Sequence, residues 1–418
     1  MSTSDKSRDT IALEEIGEIH GGSTPARSCA QFWGGDIPWV TPAEITKLPT
    51  KWLESTRESI TESGLASCGT RILPPRSLLV TTRATLGYVA MNRSSVCTNQ
   101  GFKNIVVNQY HEPDFYYHLI EHFGPEMERL ATGSTFLELS SRDFRALRLP
   151  SFCLDEQRRI ALILDTADAA IAKTEALIAK LKQMKAGLLH DLLTRGIDEN
   201  GGLRPASAVV SKEGFPASWD VSPINKLCEY LSYGFTCPMP TTESGPFMIT
   251  AVDVVNGSIN YSTARHTSQS AFESLTQKSR PIIGDILITK DGTLGRVAFV
   301  DRSDICINQS VACIRPLSDT HADFLALYLK SNHGQQQMLA DAGGSTIKHI
   351  YISKLAEMPV PVPGVDEADE ICKRMIAHES WIGREMQTLE KLRKLKAGLM
   401  NDLLTGKKPV FAEAAAAS

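Results

Sequence analysis

Apolar side chains fall at Ile160, Leu164, Ala167, Ile171, Ile178, Leu181, Leu188 and Leu192. That seam, with weak positions at Thr174 and Lys185, predicts one amphipathic helix over residues 155–196. Asp155 and Glu156 place negative charge at its start, which suits the helix dipole, and Gly196 supplies a stop. Roughly 40 residues at about 1.5 Å each make a rod of about 60 Å, which needs a partner helix along its length. The partner is in the same chain. A second seam, Ile371, Met375, Ile382, Leu389, Leu392, Leu399 and Leu403, predicts a rod over residues 366–404, and Ile371 follows Ile160 by 211 positions. The packing positions expected from both rods are Ile160, Leu164, Ile171, Ile178, Leu181 and Leu188 on the first, and Ile371, Met375, Ile382, Leu389, Leu392 and Leu399 on the second.

The rods also repeat in letters. LKQMKAGLLHDLLTRG at 181–196 returns as LRKLKAGLMNDLLTGK at 392–407, so the chain reads as two copies of one unit. Ahead of each rod lies a mixed α/β stretch. In the first, short β-type runs at 77–82 and 104–107 alternate with turn signals, and residues 115–130 have helical spacing closing toward Gly133. The two stretches match at 77–90 and 285–298, at Cys97-Thr98-Asn99-Gln100 and Cys306-Ile307-Asn308-Gln309, and at two further points, while 43–70 and 253–279 match poorly. The expected organisation is a first α/β domain at 1–151, a helix at 152–196, a Gly/Pro/Ser-rich linker at 197–218, a second α/β domain at 219–363, a helix at 364–405 and a tail at 406–418.

Composition excludes several classes. A chain of 418 residues with 42% apolar and 22% charged residues suits a multidomain globular protein. No apolar run is long enough to span a bilayer, and the polar start MSTSDKSRDT reads as a lead-in to a cytoplasmic protein. Nine scattered cysteines, without a Cys-x-x-Cys pair, read as free thiols rather than zinc ligands. A net charge of −4 does not advertise nucleic-acid binding, although a local patch is enough for it.

The candidate chemistry lies in loops. Thr85-Leu86-Gly87 and Thr293-Leu294-Gly295 read as tight hairpins with Gly at positive φ. The basic residues just before them, Arg83 and Lys290, would sit at the tips, able to meet a phosphate or a guanine edge. Asn99, Gln100 and Lys103, and Asn308 and Gln309, offer groups that read adenine in a major groove or brace a loop. Ser134, and Ser345 with Lys348, follow glycines in turns that can hold phosphate or need no ligand. Thr24 and Arg27, and Tyr233 and Thr236, lie on loops that reach a ligand. No Walker loop, no Asn/Asp-Pro-Pro-aromatic motif, no paired-acid nuclease strand and no catalytic triad is legible, so no catalytic residue and no metal ligand is assigned.

The order α/β unit, long helix, α/β unit, long helix resembles the specificity (S) subunits of type I restriction–modification enzymes. Gly34-Gly35-Asp36-Ile37-Pro38-Trp39, the run GDILITKDGTLG at 284–295, Leu154-Asp155-Glu156-Gln157-Arg158-Arg159-Ile160 and the repeated Lys-Ala-Gly-Leu…Asp-Leu-Leu-Thr ends carry the resemblance. The second rod departs from it, with VDEADEI at 365–371 in place of Gln-Arg-Arg. The resemblance implies two α/β (α+β) target recognition domains, each followed by a long helix. It also implies that the helices pack as an antiparallel coiled coil with pseudo-twofold symmetry. Each domain would read one half of a split double-stranded DNA site, about one turn (~34–36 Å) apart. The helices would set the spacing and dock two modification subunits, which bind S-adenosylmethionine; restriction motor-nuclease subunits join them, and the chain itself holds no cofactor. The alternatives are a protein-only coiled-coil scaffold and a self-sufficient methyltransferase or nuclease.

Overall fold

The computed structural model describes residues 8–132, 137–205, 211, 214–255, 257–340 and 348–410. The chain forms two compact units, residues 1–177 with 385–418, and residues 178–384. Each unit takes half of each long helix, Leu154–Arg195 and Val365–Leu404. The spacer segments are therefore not bodies apart from the α/β domains. A two-helix seam is thin, and the rest of its apolar surface is covered by the neighbouring domain.

In the first unit a five-stranded sheet runs in the order Gly17–Gly21, Phe102–Val107, Leu78–Arg83, Thr85–Asn92, Trp52–Leu53. Leu78 to Thr82 are all buried because both faces of this strand are covered. Leu78 and Val80 meet Phe115, Tyr116, Leu119 and Ile120 of the helix Pro113–Leu130. On the other face Leu79 meets Val40, Ile45, Leu53 and Leu73. A second sheet, Glu58–Ile60, Trp33–Val40, Cys97–Thr98, completes the domain. Thr10–Ala12 pairs with Arg148–Pro150 just before the long helix begins.

Gly87 is not the hairpin turn that the sequence suggests. Arg83 pairs with Thr85, so Ala84 turns the chain, at φ 63°. Gly87 lies inside the following strand at φ 76°, where a Cβ would stand 2.8 Å from the Cα of Gly124. Its missing side chain lets the strand approach the helix backbone.

The second unit repeats the topology. Its main sheet runs Cys228–Tyr233, Val311–Pro316, Ile286–Thr289, Val297–Phe299, and its smaller one Arg265–His266, Thr242–Ile249, Ile305–Ile307. Two helices, Asp319–Lys330 and Asn332–Ala340, replace the single helix of the first unit. The break falls at Ser331, whose hydroxyl donates to the Tyr328 carbonyl and accepts from the Gly334 amide.

The long helices run antiparallel within each unit. In the first, Lys396 and Arg393 bond Asp168 and Glu175, and Leu403 and Leu404 share a core with Ile160, Ala161 and Leu164. In the second, Lys185 pairs with Glu379, and Leu192 and Leu193 share a core with Ala368, Ile371 and Met375. Ile160, Leu164, Ile178, Leu181, Ile371, Met375 and Ile382 are buried; Ile171, Leu188, Leu389, Leu392 and Leu399 are half-buried.

Candidate nucleic-acid interface

At one end of the first unit three segments converge on the hairpin tip. The Thr82 amide donates to the Gly101 carbonyl at 2.8 Å, the Leu139 amide to the Thr82 carbonyl at 3.0 Å, and the Ala84 amide to the Leu137 carbonyl at 3.0 Å. The glycine loop joins them: Ser23 bonds the Thr98 carbonyl at 3.0 Å, and the Thr24 hydroxyl donates to Gln100. A Cβ on Gly22 would stand 2.0 Å from the Asn99 carbonyl oxygen, so only glycine fits beneath this loop. Thr24, Arg83, Thr85, Asn99 and Gln100 thus share one end of the domain, with Arg83 and Gln100 exposed.

The second unit builds the same frame. The Lys290 amide donates to the Ser310 carbonyl at 2.9 Å, the Ile350 amide to the Lys290 carbonyl at 2.9 Å, and the Gln309 amide to the Phe235 carbonyl at 2.9 Å. Tyr233, Thr236, Lys290, Thr293, Asn308, Gln309 and Lys348 lie on these segments. Lys290 sits over the Tyr233 ring at 5.4 Å, and Thr236, Thr293, Gln309 and Lys348 are exposed.

The asparagines have a structural occupation. Asn99 accepts from the Gly101 amide at 2.8 Å, and Asn308 from the Ser310 amide and hydroxyl at 3.1 and 2.6 Å. Each braces its turn, which leaves the neighbouring Gln100 and Gln309 as the displayed side chains. Lys103 differs from the surface contact expected of it. It is 6% exposed, and its ammonium donates to the Leu139 carbonyl at 2.8 Å. Burial lowers its pKa, with Glu138 opposing. It lies inside the sheet because its strand is covered on both faces. Arg27 is held by Glu58 and stacks on Trp33 at 3.9 Å, and the Glu58 hydrogen bond raises its pKa. Ser134 and Ser345 lie outside the described residues.

The matched bonds follow the 77–90 to 285–298 alignment and correct the treatment of Arg83 and Lys290 as equivalent tip residues. Lys290 stands where the first unit has Thr82, not Arg83. The counterpart of Arg83 is Asp291. Arg83 bridges Glu138, and Asp291 bridges His349. Sequence reading missed Glu138, Asp291 and His349, whose only signal is position beside the hairpin and beside the Gly-Ser turns. It also missed His20, Arg71 and Arg145, which line an open cavity of about 580 Å³ along the edge strand Gly17–Gly21.

A separate polar network lies where the helix Pro113–Leu130 meets the long helices of the first unit. His118 is fully buried and bonds Asp165 at 2.9 Å, with Glu121 and Asp168 at 3.8 and 4.0 Å. Burial disfavours the imidazolium, but these carboxylates outweigh it and hold the His118 pKa above its ordinary value. His118, Asp165 and Asp168 have spacing suited to a metal ion. Their charge is already balanced by Lys51 on Asp165 at 2.5 Å and Lys396 on Asp168 at 2.7 Å.

The family description "Type I restriction modification DNA specificity domain" matches residues 6–183 and again 216–394. The chain belongs to this family. Among similar proteins, the type I restriction enzyme MjaIX specificity subunit of Methanocaldococcus jannaschii is 34% identical over 168 residues, 40% of this chain and 39% of that one. The EcoR124I/EcoR124II specificity subunit of Escherichia coli is 29% identical over 191 residues, 43% of this chain and 46% of that one. These matches span less than half the length of either relative. Among solved structures, one described as the structural basis of complex assembly and conformational transition of the type I R-M system has a TM-score of 0.63 at 16% identity, covering 98% of this chain and 100% of that one. The S subunit from M. genitalium has a TM-score of 0.54 at 14% identity, covering 99% of each chain. The likeness to solved structures establishes the fold: two mixed α/β domains, each followed by a long helix.

Proposed function

We propose that this chain is the DNA-specificity subunit of a type I restriction–modification complex, with residues 1–151 and 219–363 each reading one half of a bipartite, asymmetric site. The observation that carries this reading is the duplicated hairpin-tip frame. Equivalent backbone bonds hold both tips, while the side chains displayed on them differ. A common frame with different side chains is what reading two different half-sites requires. Basic side chains, such as Arg71 and Arg145 along the edge strand of the first unit, supply phosphate contacts, and the displayed side chains supply base contacts.

The long helices set the gap between half-sites and dock two modification subunits. Those subunits bind S-adenosylmethionine and take the target adenine out of the stack, since its amine is unreachable within the duplex. Restriction motor-nuclease subunits complete the assembly in the cytoplasm, and this chain performs no chemistry of its own.

The test is a genome-wide map of methylated adenines in cells making this chain with its modification subunit, against cells lacking the chain. The expected result is a split, asymmetric motif that disappears without the chain. An unchanged map, with the modification subunit present and active, refutes the reading and favours a protein-only scaffold.

A further inference from the structure

Two side-chain pairs occupy the same place in the duplicated frame, with the acid and its nitrogen-bearing partner exchanged. At the first hairpin tip Arg83 bridges Glu138, its guanidinium 3.7 Å from the carboxylate, and both side chains are nearly half exposed. At the second, Asp291 bridges His349, whose Nδ1 lies 2.5 Å from the carboxylate. The surrounding backbone is matched. Thr82 and Lys290 each receive the amide of the returning segment, from Leu139 and Ile350, and each donates to the turn at Gly101 and Ser310. The strands behind both tips are buried throughout. The frame fixes where the pair stands, and the residue type fixes only what it offers.

What the pairs offer is opposite in kind. Arginine carries five donors in a planar fork and no acceptor, which matches the two acceptors, O6 and N7, on the major-groove edge of guanine. An ionised aspartate is acceptor-only and demands an exocyclic amine, N4 of cytosine or N6 of adenine. Asp291 is held in that state. Lys290 donates to its second oxygen at 2.9 Å, and hydrogen bonds from His349 and Lys290 outweigh burial to keep its pKa below the ordinary range. The Asp291 side chain is 21% exposed, and a carboxylate has about four acceptor sites, so these two bonds leave acceptor capacity for a base amine. Glu138 in one unit and His349 in the other orient the reading side chain.

We propose that Arg83 and Asp291 are equivalent base-reading positions, Arg83 selecting a guanine in one half-site and Asp291 selecting a cytosine or adenine amine in the other. The proposal rests on the DNA-specificity reading and sharpens it to one base position per half-site.

The experiment compares methylation maps for wild type, Arg83→Ala and Asp291→Asn. It adds binding of each purified complex to duplexes substituted at every position of the wild-type motif. Arg83→Ala is expected to lower discrimination at one guanine from about ten- to hundredfold to near unity, leaving the other half-site unchanged. Asp291→Asn is expected to act at one cytosine or adenine of the other half-site only. Glu138→Gln and His349→Gln, which keep the reading residue and loosen its brace, are expected to weaken discrimination at the same two positions. If Arg83→Ala or Asp291→Asn abolishes binding altogether, Arg83→Lys and Asp291→Glu keep the charge and change the geometry. Unchanged discrimination in those variants overturns the assignment. A wild-type motif reproduced base for base by all variants, or one variant altering both half-sites, overturns it too while the broader reading stands. Absence of any chain-dependent motif in wild type refutes the broader reading itself.

Discussion

Replacing Glu367 tests whether the linker between the first long helix and the second domain is held by a single carboxylate. Glu367 lies in the first turn of the second long helix, and its side chain is 15% exposed. It accepts from the Ile197 amide at 2.7 Å, the Trp219 indole at 3.0 Å and both terminal nitrogens of Arg204, at 2.5 and 2.9 Å. These bonds outweigh burial and hold its pKa below the ordinary carboxylate range. In Glu367→Ala the Arg204 guanidinium, 24% exposed, can rehydrate, so little is counted for it. Ile197 and Trp219 are both 5% exposed, and stranding their two N–H donors costs about 1–3 kcal/mol each. Loss of the acidic charge at the helix start adds up to about 1 kcal/mol. The expected destabilisation of residues 178–384 is therefore about 2–7 kcal/mol. Glu367→Gln keeps an acceptor oxygen and should cost about 1–2 kcal/mol. Hydrogen exchange resolved by peptide is the assay, because a two-unit chain need not unfold in one step. Protection should fall in peptides from 178–384. An alanine variant within about 1 kcal/mol of wild type would show that water replaces the carboxylate at no cost, and the reasoning fails.

The His118 network predicts a pH optimum for the first unit. His118 has a raised pKa, so its stabilisation is complete below about 6.5 and is lost as pH rises through the folded value. Asp165 and Glu121 are lowered: burial opposes ionisation, but their partners prevail, so their stabilisation is present above about 4.5 and lost as pH falls. Protection of residues 113–130 should therefore peak between about pH 5 and 6.5, and His118→Leu should flatten its alkaline limb; an unchanged limb refutes the assignment. Gly87→Ala combines positive φ with a 2.8 Å clash against backbone that cannot yield, and should cost about 2–3 kcal/mol in thermal unfolding. Gly21→Ala, with nothing within 4 Å of the added Cβ, should stay within about 0.5 kcal/mol.

Periodicity alone revealed the two long helices, because a seam of apolar residues over some 40 positions has no other use. It also revealed the duplication, since near-identical helix ends 211 positions apart need no structure to be seen. The buried strand at 78–83 and the helix at 113–130 were legible for the same local reason.

Pairing was a different matter. Whether a lysine on a strand faces solvent depends on what covers the sheet, so Lys103 read as a contact and is buried. Which residue opposes Arg83 depends on register across segments some 55 positions apart, which hides Glu138 and His349 from any local reading; the pairing of Arg83 with Asp291 is already given by the match of 77–90 to 285–298. The Asn-Gln pairs leave bracing and display both open in sequence, and the turn geometry gives bracing to Asn99 and Asn308. Local spacing and composition decide the elements, their repetition and the family they resemble, so these are legible from the residues alone. Which side chains stand together at the hairpin tips, and which are used up holding the frame, follows from the folded arrangement. Those assignments come from hydrogen bonds between residues far apart in the chain, which no local pattern records.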